Sequence, residues 1–317
     1  MKQLLLTLML VCVLWPVHVQ AQDATQDGLK LQSITSGGIE RNFFYLNPAI
    51  NADAANKMPL LLSLHGGGKD DGDEYAARAG YTPMAREQGF IIVYPNGVNA
   101  QWNDGRGVTF RGIDDNAHVD DARFLADVID YFIAHHNADP ARVYIEGSSN
   151  GGMMTYRMLC EYSEKIAAAA AVIASIPENI YPSCAPKKPV PLLSMNATAD
   201  PLVPFNGGEL RLGKRKTAGR ITSTEQSVAF WRNNNGCKDP VKTEELPDVV
   251  TSDDSTVEHR VYGGCTAGAT VEQYIVHGGG HSRPGMKGVA LERFLGKVNK
   301  DIVAGDVIWD FLKQYSQ

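Results

Sequence analysis

A chain of 317 residues, 44% hydrophobic and 21% charged, can bury a large core, and its length alone allows one or two domains. The formal net charge of −6 argues against a nucleic-acid partner, which would favour a basic patch. The basic cluster Lys214-Arg215-Lys216 is short and reads as a solvated loop.

The first 21 residues read as a secretory signal. Lys2 supplies positive charge, Leu4 to Val13 is an apolar run, and Val19-Gln20-Ala21 offers the small residues that signal peptidase prefers. Cleavage after Ala21 would leave a single expected domain over residues 22–317. The apolar run is too short for a membrane span of ~20 residues. No other stretch approaches that length without charge, so no membrane span is expected. A lipid anchor at Cys12 is disfavoured by Val11, where a small residue is expected.

Two extended segments follow, Leu29–Thr35 and Arg41–Leu46, with Gly37-Gly38 between them, which is a hairpin pattern. Pro59–Leu64, Phe90–Tyr94, Arg142–Ile145 and Val190–Met195 are nearly continuous apolar runs, as in parallel strands buried on both faces. Helical patterns lie between them. From Asp120 to His136 an apolar stripe of Phe124, Leu125, Val128, Ile129, Phe132 and Ile133 recurs at helical spacing. Gly151–Cys160, Thr222–Asn233 and Val307–Tyr315 are further helices. This alternation predicts an α/β fold with a mostly parallel sheet. The segment from Gly207 to Gly268 is polar and glycine-rich, and is expected to be an excursion from the core.

Removal of the leader would also remove Cys12 and leave Cys160, Cys184, Cys237 and Cys265. An even count in an exported chain favours disulfides over buried thiols. Three connectivities are possible, of which the sequential one closes the shortest loops. No C-x-x-C spacing suggests a metal.

The run Gly147-Ser148-Ser149-Asn150-Gly151 follows a strand and precedes a helix, which is the setting that gives G-x-S-x-G its meaning. Ser149 is thereby the candidate nucleophile, placed at a helix N-terminus that favours developing negative charge. A serine needs a base. His135 and His136 end the long helix, His259 reads as solvated, His118 has no clear role, and His65 suits shaping a loop. His277 and His281 flank three glycines, which cannot hold the helix that a metal pair would need. His281, at the far end of that loop, is the candidate base. The acid should fall between nucleophile and base in chain order, and Asp200 follows the strand Val190–Met195. The backbone amides of Asn150, Gly67 and Gly68 are the expected oxyanion donors, since glycines let backbone approach a substrate closely. A phosphate loop is excluded there, because Lys69 is followed by Asp70.

These motifs together resemble the secreted polyhydroxybutyrate-depolymerase-like and feruloyl-esterase-like hydrolases of the first carbohydrate esterase family. The resemblance rests on Leu64-His65-Gly66-Gly67-Gly68, Pro95-Asn96-Gly97 with Trp102-Asn103-Asp104-Gly105-Arg106, the Gly147–Met154 elbow, Thr198-Ala199-Asp200-Pro201 through Gly208, Trp231 with Asn235-Gly236-Cys237, and Gly278-Gly279-Gly280-His281 before Pro284-Gly285. It implies one α/β-hydrolase domain that needs no cofactor and no metal, with Ser149, Asp200 and His281 as triad and the pairs Cys160–Cys184 and Cys237–Cys265. It also implies hydrolysis of carboxylic esters through an acyl-enzyme. Feruloyl esters on plant polysaccharide come first, then polyhydroxyalkanoates or acetylated xylan. A serine peptidase on the same fold and an inactive binding module are the other readings. Gly67 stands where many members carry cysteine, and Asn196 where histidine is common. Arg283 stands where tryptophan usually follows the histidine. Trp102 and Arg283 are the expected substrate contacts. Arg283 would favour anionic esters unless it points to solvent or pairs with an acidic neighbour.

Overall fold

The computed structural model describes residues 28–48, 57–68, 71–108, 116–212, 216–286 and 292–317. The leader over residues 1–21, Lys69, Asp70 and the basic pair Lys214-Arg215 lie outside the described residues. The expected hairpin forms from β1 (Lys30–Ser36) and β2 (Ile39–Leu46), which pair antiparallel across Gly37 and Gly38. Both glycines have positive φ, the backbone that a two-residue hairpin turn requires.

The apolar runs become β3 (Met58–Leu64), β4 (Ile91–Pro95), β5 (Ala138–Ser148), β6 (Ala168–Val172) and β7 (Leu192–Ala197). After them come β8 (Gly208–Leu212), β9 (Lys216–Ile221), β10 (Pro240–Glu245), β11 (Thr256–Tyr262) and β12 (Val271–His277). Ten of these strands form one sheet in the order β1-β2-β4-β3-β5-β6-β7-β12-β11-β10. The central six, β4 to β12, are parallel, and each edge carries two antiparallel strands.

Period-two alternation sorts the strand side chains into two cores. Leu60, Leu62 and Leu64 of β3 face one way, with α3 (Asp121–His135), α4 (Asn150–Tyr162) and α5 (Thr224–Asn234) packed on that face. Leu61 faces the other way, against α1 (Gly72–Ala79), α2 (Tyr81–Gln88) and α7 (Ala304–Leu312). A further short helix, α6 (Glu292–Leu295), precedes α7. The fold is therefore α/β, a mostly parallel sheet with helices on both faces and an antiparallel hairpin at its start.

Three features differ from expectation. β6 is Ala168-Ala169-Ala170-Ala171-Val172, a composition of low strand propensity that burial overrides. Its small side chains leave room for α4, where a Cβ on Gly152 would lie 2.6 Å from Ala174 Cβ and 3.1 Å from the Val172 carbonyl. The segment from Gly207 to Gly268 is only partly an excursion. β8 and β9 form a separate two-stranded sheet, but α5 buries Trp231 in the core and β10 and β11 complete the main sheet. His259 is buried rather than solvated.

The cysteines pair Cys160–Cys184 and Cys237–Cys265. Among the described residues no helix is long and apolar enough to cross a membrane.

Candidate active site

Ser149, Asp200 and His281 each follow the carboxyl end of a parallel strand, β5, β7 and β12 respectively, and converge at one end of the sheet. Ser149 is the residue before α4, with φ 55° and ψ −118°. This is a strained conformation for a residue with a side chain. Its own amide donates to the Val172 carbonyl at 2.9 Å, and its carbonyl accepts from Met153. The neighbouring glycines make the turn possible. A Cβ on Gly147 would lie 2.4 Å from backbone of Gly151, and one on Gly151 would lie 2.4 Å from the Leu64 carbonyl.

His281 Nδ1 lies 2.7 Å from Asp200 Oδ2, and Nε2 lies 3.0 Å from Ser149 Oγ. The carboxylate can only accept, so Nδ1 carries the proton and Nε2 is left to accept from the serine hydroxyl. Asp200 Oδ1 accepts from the amides of Leu202 and Val203, both at 2.8 Å, which fixes the carboxylate plane. The glycine loop is held from outside. Gly280 and His281 donate their amides to the Lys297 and Leu295 carbonyls. A Cβ on Gly280 would meet that Leu295 carbonyl at 2.2 Å. His277 is on the far side of the loop, paired with Glu258 at 3.1 Å.

Asn150 opens α4, where its amide has no intrahelical carbonyl to bond. Its side chain is fully engaged, accepting from the Trp102 amide at 2.8 Å and donating to Trp102 O at 3.1 Å and Asp104 Oδ2 at 2.6 Å. Asp104 in turn pairs with Arg106 at 2.8 Å, both buried. The tract from Trp102 to Arg106 is thus strapped to the start of α4.

Three expected contacts stand elsewhere. The Gly68 amide donates to the Ala100 carbonyl at 3.3 Å, so it is already occupied. Gly66 is the glycine against Ser149, since a Cβ there would sit 3.6 Å from Ser149 Cβ. Trp102 is a buried brace instead of a surface platform. Its indole N–H donates to the His65 carbonyl at 2.9 Å, and its ring centre lies 4.8 Å from that of His65. His65 links two loops, with Nδ1 donating to the Gly66 carbonyl at 2.7 Å and Nε2 accepting from the Gly97 amide at 3.0 Å. Arg283 is buried and faces inward to Glu146 at 2.7 Å. Its partner is acidic, but the pair is internal. Glu146 drew no notice in the sequence because nothing in an apolar strand marks a partner 137 residues away.

The sheet and the converging strand ends define an α/β-hydrolase. The model of the prolyl oligopeptidase family matches residues 77–177. NocK of Nocardia uniformis subsp. tsuyamanensis, named as an esterase, is 30% identical over 260 residues, 80% of this chain and 74% of its own. A bifunctional acetylxylan esterase/xylanase of Neocallimastix patriciarum is 25% identical over 84% of this chain and 32% of its own. Feruloyl esterase B of Piromyces equi is 25% identical over 81% of this chain and 42% of its own. This chain thus spans under half the length of the latter two. In structure it is similar to an acetyl xylan esterase from Aspergillus awamori, with TM-score 0.54 and 15% identity over 83% of this chain and 96% of the other. The chain belongs to the esterase family of α/β-hydrolases that its motifs resemble, and it is a carboxylic ester hydrolase.

Proposed function

We propose that the chain is an exported serine esterase, a single catalytic domain over residues 22–317, working through an acyl-enzyme on Ser149. The observation that carries this reading is the unbroken hydrogen-bonded line from Ser149 Oγ through His281 to Asp200. In the forward step Oγ attacks the ester carbonyl carbon while its proton passes to His281 Nε2. The carbonyl oxygen becomes an oxyanion facing the Asn150 amide, with the Gly66-Gly67 backbone as the second donor. Collapse breaks the bond to the alcohol, which leaves with the proton from Nε2. Water then repeats the sequence on the acyl-enzyme and releases the acid. Asp200 holds the ring in the tautomer that accepts at Nε2 and stabilises the imidazolium that forms.

For the acyl group, feruloyl esters on plant polysaccharide lead, followed by polyhydroxyalkanoate or acetylated xylan. The feruloyl and acetylxylan names among the relatives support the first and third. The peptidase reading rests on a family match to residues 77–177, whereas the esterase relatives align over 80% or more of the chain. Export is supported by the leader pattern and by two disulfides, which persist in oxidising compartments.

The test is a p-nitrophenyl ester assay with Ser149→Ala, His281→Ala and His277→Ala. The first two should lose nearly all turnover together, because such residues act as a unit. His277→Ala should stay near wild type. Full activity in Ser149→Ala would overturn the assignment. Parallel assays on methyl ferulate, acetylxylan and a polyhydroxybutyrate film rank the substrates.

A further inference from the structure

Behind the nucleophile, on the face that carries α1 and α2, lies a polar cluster that the ester chemistry does not itself use. Glu146 is fully buried on β5, three residues before Ser149. Arg283 is buried two residues beyond His281. Arg283 Nη1 donates to Glu146 Oε2 at 2.7 Å, Ser148 Oγ at 2.9 Å and Tyr75 OH at 2.9 Å, while Nη2 donates to Tyr81 OH at 2.9 Å. Ser63 of β3 donates to the second oxygen of Glu146. Burial opposes the charge on Arg283, but Glu146 together with the Tyr75 and Tyr81 hydroxyls outweighs it and holds the guanidinium protonated. Burial also pushes the Tyr75 hydroxyl up to about 12 and raises that of Tyr81 well above its usual value, so both stay neutral phenols able to accept from the guanidinium.

A buried ion pair is weak evidence of stability, since apolar side chains of similar volume often serve as well. Its connections here suggest a different use. One member belongs to the base loop, and its partners Glu146 and Ser148 belong to the strand that ends in the nucleophile. The loop needs such a tie, because three glycines precede His281 and impose little order of their own. A planar guanidinium bonding several groups at once sets a distance and an angle, which a flexible ammonium does not.

We propose that Arg283 is a positioning residue that clamps Glu146 and Ser148, so fixing the His281 loop against the Ser149 elbow with Nε2 in reach of Oγ. This rests on the reading of Ser149 and His281 as nucleophile and base. Catalysis is steep in such a distance, for a misplacement of about 1 Å can cost about 10²-fold in rate.

Removing Arg283 alone would leave Glu146 charged and unpaired in the interior, a folding defect in itself. The main variant is therefore the double substitution Glu146→Gln with Arg283→Met, assayed on p-nitrophenyl acetate beside wild type and Ser149→Ala. The expected result is native near-UV circular dichroism, KM within about twofold of wild type and kcat lower by roughly 10- to 100-fold. Arg283→Lys, which keeps the charge and loses the fork, should fall between the two in kcat. A folded double variant with wild-type kcat would overturn the proposal. So would a kcat loss in any variant that only follows the loss of folded protein. If the double variant does not fold, Arg283→Lys decides, and wild-type kcat there overturns it. Turnover by Ser149→Ala would instead sink the parent reading, so the two failures are told apart.

Discussion

At the scale of single residues, the turn that carries the proposed nucleophile depends on side chains that are absent. The Ser149 turn brings Gly151 against two backbone carbonyls, and a methyl group there would lie 2.4 Å from Leu64 O and 2.5 Å from His65 O. Neither carbonyl belongs to a side chain that can swing away. Gly151→Ala should therefore destabilise the protein by ~1–3 kcal/mol and abolish turnover, as seen by thermal melting and ester assay. Gly68→Ala is the control, because a Cβ there meets nothing within 4 Å. Its melting temperature should be unchanged, and a large drop would show that packing around this loop is misjudged. The convergence of Ser149, Asp200 and His281 was legible because each follows a buried strand and each is the residue type that the proposed chemistry needs. The inward turn of Trp102 and Arg283 was not. Sequence places a residue beside a site but does not say which way its side chain points, and both bury theirs. Glu146 was invisible for the same reason, since its meaning lies in Arg283.

At the scale of elements, strands with continuous apolar runs and the helix with the clearest stripe were readable, while α1, α2 and β6 were not. α1 and α2 are only 8 residues each, too short for periodicity to stand out, though Asp71 caps α1 by accepting from the amides of Asp73 and Glu74. β10 and β11 were hidden by polarity, because an edge hairpin offers one face to water. That hairpin holds a charge device. His259 on β11 lies between Glu244 of β10 at 3.2 Å and Glu272 of β12 at 2.9 Å, and stacks on Tyr274 at 4.2 Å. Burial disfavours its charge, but the two carboxylates outweigh burial and raise its pKa. The imidazolium thus favours the folded state. That contribution is complete below the unfolded value of ~6.5 and is lost as pH rises through the raised folded value. His259→Gln should therefore lower the melting temperature at pH 6 and have little effect at pH 9. An equal loss at both would mean that stacking on Tyr274, not charge, is what His259 supplies.

At the scale of the molecule, the parallel centre of the sheet gathers three strand ends into the site, and the disulfides brace the helical layer on one face. Cys160–Cys184 ties the last residues of α4 to the turn at Tyr181–Ser183, and Cys237–Cys265 ties the end of α5 to the loop after β11. These helices carry much of one core, yet only the first turn of α4 reaches the candidate site. Stability and catalysis should therefore respond differently to reduction. The bridges close loops of 24 and 28 residues, for which chain entropy gives about 3 kcal/mol each. In a chain of this size each kcal/mol moves the melting temperature by roughly 2–4 °C, so full reduction should lower it by roughly 10 °C or more. Ester turnover at 25 °C, below that transition, should stay within about twofold of the oxidised enzyme. Thiol titration of denatured, unreduced protein from an exporting host should find no free cysteine. Four titratable thiols would remove both the bridges and the main structural support for export. A reduced enzyme that melts as before but has lost its turnover would instead place the bridges in the service of the site.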